Sequence, residues 1–271
     1  MSILLHGDCL DEMKTIDDNS VDLIFCDLPY GQTSCKWDTL IDLDKFWIEI
    51  MRIKKLNTPI FFTTTTKFGV SLIQSAPKKC QFRYDLVWVK SQKLGFLSAK
   101  KMPLRKHEMI YVFYEKLPLY DLSSHKHKFI KHKENTAEEG TYGKKKRCPH
   151  GKAGQYDPPL PDSVVREQGC YGEKVPNSEA KYGQKCAQQY DPPLPDSMLE
   201  IKSTRGKHST EKPVALIELI LKYYSKEGDV VLDPTMGSGS AGVAAKNMNR
   251  NFIGIEKDLE IYELAVNRIE S

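Results

Sequence analysis

The sequence contains no apolar run approaching the roughly 18 residues that a membrane-spanning helix needs, so no helical span is expected. Residues 1–6 lack the basic region and long apolar stretch of a secretory signal. Cysteine is sparse: there are seven, an odd number, and no two stand as a Cys-x₂₋₄-Cys pair. That argues against a disulfide scaffold and suits reduced thiols in a cytoplasm. Cys148, His150, Cys170 and Cys186 come nearest to a zinc set, but their spacing lacks the tight pair of a structural site, so no metal is expected. His125, His127 and His132 read as surface or phosphate-contacting residues rather than ligands. Strong net charge is missing too. At +4, the chain as a whole does not announce a polyanionic partner.

What is present is the balance of a globular protein: 271 residues, 40% hydrophobic and 28% charged. A chain of that length can bury a substantial core without covalent staples. Its pattern divides into three parts. In residues 1–115, short apolar runs alternate with amphipathic stretches. Ile3-Leu4-Leu5, Val21-Asp22-Leu23-Ile24-Phe25, Pro59-Ile60-Phe61-Phe62, Leu86-Val87-Trp88-Val89 and Met109-Ile110-Tyr111-Val112-Phe113 read as strands. Phe46, Trp47, Ile50 and Ile53 have helical spacing over 44–54, with Asp44 as the expected N-cap.

Residues 116–205 lose this periodicity. Their first part, 116–151, holds nine Lys or Arg against four Asp or Glu. The nonapeptide Gln155-Tyr156-Asp157-Pro158-Pro159-Leu160-Pro161-Asp162-Ser163 recurs from Gln189 to Ser197, and a looser Tyr-Gly-x-Lys unit begins at Tyr142, Tyr171 and Tyr182. Prolines at this density exclude helix, and two copies are too few for a solenoid, so the repeat is read as a duplicated loop element.

Regular pattern returns in 206–271. An amphipathic helix over 214–224 starts behind Pro213, expected in its first turn. Strand, glycine-rich turn, helix and strand then follow over 230–256, with a closing helix over 259–269. Strands alternating with helices imply an α/β fold with a twisted, mostly parallel sheet and flanking helices.

Two strand tips carry chemistry. In Asp233-Pro234-Thr235-Met236-Gly237-Ser238-Gly239, the glycines allow a sharp turn and close approach of a ligand to backbone amides at a helix start. Glu256 ends the next strand, 19 positions beyond Gly237, where an acid accepts from ribose hydroxyls. The glycine spacing also fits a dinucleotide fingerprint, which keeps a nicotinamide oxidoreductase open. Asp233 favours a cofactor with a cationic amino group, because a carboxylate there would repel a pyrophosphate.

The second tip is Asp27-Leu28-Pro29-Tyr30, directly after an apolar run. An exocyclic base amine is a poor nucleophile, since its lone pair is delocalised into the ring. The Asp27 carboxylate and the Leu28 carbonyl can each accept one of its N–H bonds and localise that lone pair. Pro29 fixes the turn, and Tyr30 offers a face on which an extruded base can stack. Alone, such a tetrapeptide also describes an ordinary proline turn with Tyr30 in the core.

These segments resemble the amino-methyltransferases of DNA, whose signature is Asp/Asn/Ser-Pro-Pro-Tyr/Phe. His6-Gly7-Asp8-Cys9-Leu10, Trp88-Val89-Lys90, Pro103-Leu104-Arg105-Lys106-His107-Glu108 and His208-Ser209-Thr210-Glu211-Lys212-Pro213 are similar to further motifs of that family. The likeness covers both ends of the chain, and its order resembles the circularly permuted beta group. Leu28 stands where proline is usual.

The resemblance implies a Rossmann-like methyltransferase fold in two halves, 1–115 and 206–271, around a target-recognition insertion at 116–205. It implies S-adenosylmethionine held by Asp233, Pro234, Thr235, Gly237, Ser238, Gly239 and Glu256, with Asp8 near its adenine and Thr210 and Lys212 near its amino-acid end. Asp27, Leu28, Pro29 and Tyr30 would bind the flipped base. Double-stranded DNA is the implied partner, with Lys90, Lys93, Lys100, Lys101, Arg105 and Lys106 as phosphate contacts. A homodimer and a cognate restriction endonuclease are further candidate partners, in a bacterial or phage-infected cell.

Aspartate in first place resembles adenine-N6 rather than cytosine-N4 enzymes. Methylation at cytosine C5 needs a cysteine nucleophile, typically in a Pro-Cys dipeptide, and the sequence has none. A catalytically silent DNA-binding module is the remaining alternative.

Overall fold

A computed structural model describes residues 1–31, 39–94, 101, 105–124, 126–128, 155–157, 198–201 and 211–271. Among them are the strands β1 (Ser2–His6), β2 (Leu23–Cys26), β3 (Ile60–Thr64), β4 (Gln81–Leu94), β5 (Arg105–Tyr114), β6 (Lys126–Lys128), β7 (Gln155–Asp157), β8 (Met198–Glu200), β9 (Val230–Asp233) and β10 (Asn251–Glu256). The helices are α1 (Cys9–Glu12), α2 (Leu43–Ile53), α3 (Thr66–Ser75), α4 (Val214–Tyr224), α5 (Ser240–Asn247) and α6 (Leu259–Glu270). None of the described helices is long and apolar enough to cross a membrane.

Eight strands form one sheet in the order β1-β10-β9-β2-β3-β5-β4-β8, with antiparallel pairings only at β3–β5 and β5–β4. The expected mostly parallel α/β sheet is therefore present. Its centre is the parallel pair β2–β9, with Leu23 opposite Val231 and Ile24 opposite Leu232. Chain order runs outward in both directions from this pair. That reversal makes a crevice at the strands' C-terminal ends, where open α/β sheets bind ligands.

Both central strands are apolar up to their C-terminal tips because both sheet faces are covered. Ile24, Ile60 and Phe62 pack with Phe46, Trp47 and Ile50 of α2 and Leu72 of α3. Leu23, Phe25, Phe61 and Val231 face the other way, against Leu216, Ile217 and Ile220 of α4, Ala241 and Ala244 of α5 and Ile269 of α6.

Several element boundaries differ from the sequence expectation. Asp42, not Asp44, caps α2: its backbone is extended and its carboxylate accepts from Lys45 N at 3.2 Å. Asp44 sits inside the first turn, where a negative charge still favours the helix dipole. Pro213 is the N-cap of α4 rather than a residue of its first turn. Helix α3 has no counterpart among the expected elements: it follows three β-branched threonines, Thr63-Thr64-Thr65, and Thr65 caps it by accepting from Phe68 N at 3.3 Å. The segment read as irregular contributes β6, β7 and β8. Strand β7 is the start of the first repeat copy and pairs with β6, while β8 extends the sheet edge beside β4. The second copy, the Tyr-Gly units and the candidate zinc residues Cys148, His150, Cys170 and Cys186 lie outside the described residues.

Phe62 anchors the α2 face: it is fully buried, with ring centroids 5.5 to 6.1 Å from Phe46, Trp47 and Phe113. Phe62→Ala is expected to cost about 3–5 kcal/mol in urea unfolding. A midpoint unchanged from the parent would contradict this packing.

Candidate active site

The two central strands end side by side, and the chemistry-bearing residues follow directly. Asp233 is the last residue of β9 and is only 3% exposed. Its Oδ1 accepts from Thr235 N at 3.0 Å, and no cation pairs with it among the described residues. Burial raises its carboxyl well above the ordinary range, and the nearby Asp27 and Glu256 carboxylates add to this.

The glycine turn is built around two left-handed residues. Gly237 has φ +51° with nothing within 4 Å of where a Cβ would stand, so it faces open space. Gly239 has φ +82° and lies against Ala265 and Ile269 of α6, so it admits no side chain on either count. Glu256 Oε2 accepts from Gly237 N at 3.0 Å and its Oε1 from Asp258 N at 2.9 Å, which leaves lone pairs on both oxygens. Asp8, at the end of the neighbouring strand, caps α1 through Leu10 N and pairs with Lys257 at 3.0 Å. Ser238 is held from behind by Arg268, whose Nη1 reaches its carbonyl and hydroxyl oxygens at 3.1 Å. The same guanidinium pairs with Glu211.

Across the crevice, Asp27 is enclosed by donors. Its Oδ1 accepts from the Tyr30 hydroxyl at 2.9 Å and from the Thr63 hydroxyl. Its Oδ2 accepts from Lys212 Nζ at 2.5 Å. Thr235 ties the two tips together by donating from Oγ1 to the Asp27 carbonyl at 3.2 Å. Leu28 is 2% exposed, its side chain in the core beneath α2 and α3. No donor reaches its carbonyl among the described residues.

Tyr30 is tied inward through its hydroxyl, and its ring lies 5.4 Å from Phe68 at a tilt of 37°. Burial and the flanking carboxylates push its phenol well above the ordinary range. A cleft of about 430 Å³ opens beside this ring, lined by Leu43 and Asp44 of α2 and Lys67 and Phe68 of α3.

Glu108 of β5 completes the cluster. Its Oε1 lies 3.0 Å from the Tyr30 hydroxyl and 3.4 Å from Lys212 Nζ, and its Oε2 pairs with Lys90 at 2.6 Å. Burial opposes the charged forms of both Glu108 and Lys212. The facing lysines nonetheless hold the Glu108 carboxyl below its ordinary range, and Asp27 and Glu108 hold the Lys212 ammonium above its own.

The structure thus brings Asp27, Tyr30, Lys212, Asp233, Thr235, Gly237 and Glu256 to one crevice. Lys212 sits on Asp27 of the first strand tip itself. Lys90 is a correction: it is bonded to Glu108 and lies 4.8 Å from the Trp88 ring, so it does not stand free for a phosphate. Lys101 and Lys106 are exposed, and Lys93 and Arg105 lie on β4 and β5. Lys100 and Thr210 fall outside the described residues. Sequence reasoning singled out neither Glu108, Thr63 nor Arg268 as site residues. Glu108 alone had a signal, at the end of a motif already noted.

Known proteins resemble the chain along its whole length. The family profile described as DNA methylase, of the N6/N4 type, matches residues 21–267. The type II methyltransferase M.HinfI of Haemophilus influenzae is 25% identical over 99% of this chain and 68% of its own. M2.DpnII of Streptococcus pneumoniae is 44% identical over 72 residues, but that match spans only 27% of either chain. Among solved structures, the M1.HpyAVI–SAM complex superposes with a TM-score of 0.60 at 20% identity over all of both chains. The cytosine-N4-specific PvuII DNA methyltransferase gives 0.61 at 14% identity, over 98% of this chain and 86% of that one.

The raised Asp233 carboxyl has a measurable consequence. The stability its burial permits is full below the ordinary carboxylate range and is lost as pH rises through the raised value. Asp233→Asn is therefore expected to melt higher than the parent at neutral pH, by about 2–4 °C for each kcal/mol regained. The difference should vanish towards acid pH. A lower melting temperature at neutral pH would contradict the burial of an unpaired charge.

Proposed function

The chain belongs to the N6/N4 DNA methylase family, and on that premise we propose that it methylates the exocyclic N6 of adenine at a specific sequence in double-stranded DNA. The observation that carries this reading is the pairing of two acceptors at one strand tip, the Asp27 carboxylate and the Leu28 carbonyl, which no donor reaches among the described residues, beside the buried Asp233. The residues fit S-adenosylmethionine. Asp233 is a desolvated carboxylate suited to an ammonium group, and it disfavours the pyrophosphate of a nicotinamide cofactor. The space above Gly237 admits a ligand against the backbone, and Glu256 retains lone pairs for ribose hydroxyls.

When bound, S-adenosylmethionine supplies an electrophilic methyl group on a cationic sulfur. Asp27 and the Leu28 carbonyl accept the two amino N–H bonds and draw the nitrogen out of conjugation. The nitrogen would then be free to take that methyl group directly, S-adenosylhomocysteine being the leaving group, and its proton would pass by way of Asp27 to solvent. No covalent enzyme intermediate is required. Aspartate rather than serine at position 27 supports adenine. The exposed Lys101 and Lys106 support contact with the phosphate backbone, with affinity that falls as salt rises.

Asp27→Ala is expected to lose methyl transfer by on the order of 10²–10³-fold or more, while S-adenosylmethionine binds within about threefold of the parent. Full activity in this variant would overturn the assignment. Gly237→Ala, whose Cβ enters the open space, is expected to weaken S-adenosylmethionine binding by at least about tenfold in calorimetry. Equal affinity would remove Gly237 from the cofactor site.

A further inference from the structure

Three of the four lone-pair positions on the Asp27 carboxylate are already occupied. A carboxylate oxygen carries two lone pairs. On Oδ1 both are taken, by the Tyr30 and Thr63 hydroxyls; on Oδ2 one is taken by Lys212 at 2.5 Å. An ammonium at that distance also draws away the electron density with which the oxygen would pull on an N–H bond.

All three donors have a second acceptor: for the Thr63 hydroxyl it is the Cys26 carbonyl at 3.4 Å, and for the other two it is Glu108. The Tyr30 hydroxyl has a single proton and two carboxylate acceptors, Asp27 Oδ1 at 2.9 Å and Glu108 Oε1 at 3.0 Å. Lys212 Nζ lies between the same two groups, 2.5 Å from Asp27 and 3.4 Å from Glu108. A shift of about 1 Å in the ammonium, with rotation of one hydroxyl, hands both donors to Glu108 and leaves Asp27 bonded to Thr63 alone. Lys90, 2.6 Å from the far oxygen of Glu108, keeps the buried cluster at two positive and two negative charges in either arrangement.

We propose that Glu108 is a positioning residue that receives Lys212 and the Tyr30 proton from Asp27, so that Asp27 is freed when the base amine arrives. This rests on the methyltransferase reading above. Glu108 acts through its neighbours. Its loss strands Lys212 on Asp27 and slows the chemical step, without changing how tightly the cofactor binds.

The test is steady-state transfer of labelled methyl from S-adenosylmethionine to unmethylated genomic DNA, for the parent, Glu108→Gln, Lys212→Gln and the double variant. Glu108→Gln is expected to lower kcat by roughly 10–100-fold with KM for S-adenosylmethionine within about threefold. Because the charge it relieves is Lys212, the double variant should lose no more than Lys212→Gln alone. Should Glu108→Gln fail to fold by thermal melting, Glu108→Asp carries the test. It keeps the charge but withdraws the oxygens, and should show a smaller kcat loss with the same suppression by Lys212→Gln. A kcat within twofold of the parent for the folded Glu108 variant, or losses that multiply in the double variant, would overturn the proposal. Absence of transfer by the parent itself would instead overturn the methyltransferase reading.

Discussion

The parallel pairing of β2 with β9 is the constraint on which the rest depends. It joins the first half of the chain to the last and sets Asp27 beside Asp233. Neither strand could stand there unless both its faces were buried. That is why Leu23, Ile24, Phe25, Val231 and Leu232 are all apolar, with one layer under α2 and α3 and the other under α4, α5 and α6. Chain order reverses at this pair, and such a switch point is where open α/β sheets bind ligands.

Within that crevice the two tips have opposite electrostatic character. Asp233 is buried with no cation bonded to it among the described residues and is costly to ionise, which makes it a receptor for an ammonium group. Asp27 is half-buried and paired with a cation and two hydroxyls, in a cluster of four charges that balance. Buried charge of this kind contributes little net stability. Its use is in holding one carboxylate oriented and reachable.

The parts legible in the sequence were the local ones. A carboxylate at the end of an apolar run, a glycine turn between strand and helix, and an acid at the next strand tip are short-range patterns, and Asp27, Asp233, Gly237, Gly239 and Glu256 stand where those patterns place them. The partners were not legible. Lys212 reaches Asp27 across 185 positions and Tyr30 reaches Glu108 across 78, and no spacing rule encodes such contacts. Lys90 was misjudged for the same reason: a lysine near other lysines reads as a phosphate contact until Glu108 is seen opposite it. Helix α3 was hidden by its β-branched start. The N-cap of α2 moved two places because two aspartates stand close together and only backbone geometry chooses between them.

The central claim is the identity of the modified base. Unmethylated genomic DNA incubated with the protein and labelled S-adenosylmethionine, then digested to nucleosides and resolved by mass, reports it directly. The account predicts N6-methyladenine confined to one recognition sequence; N4-methylcytosine, or no methylated nucleoside at all, would contradict it.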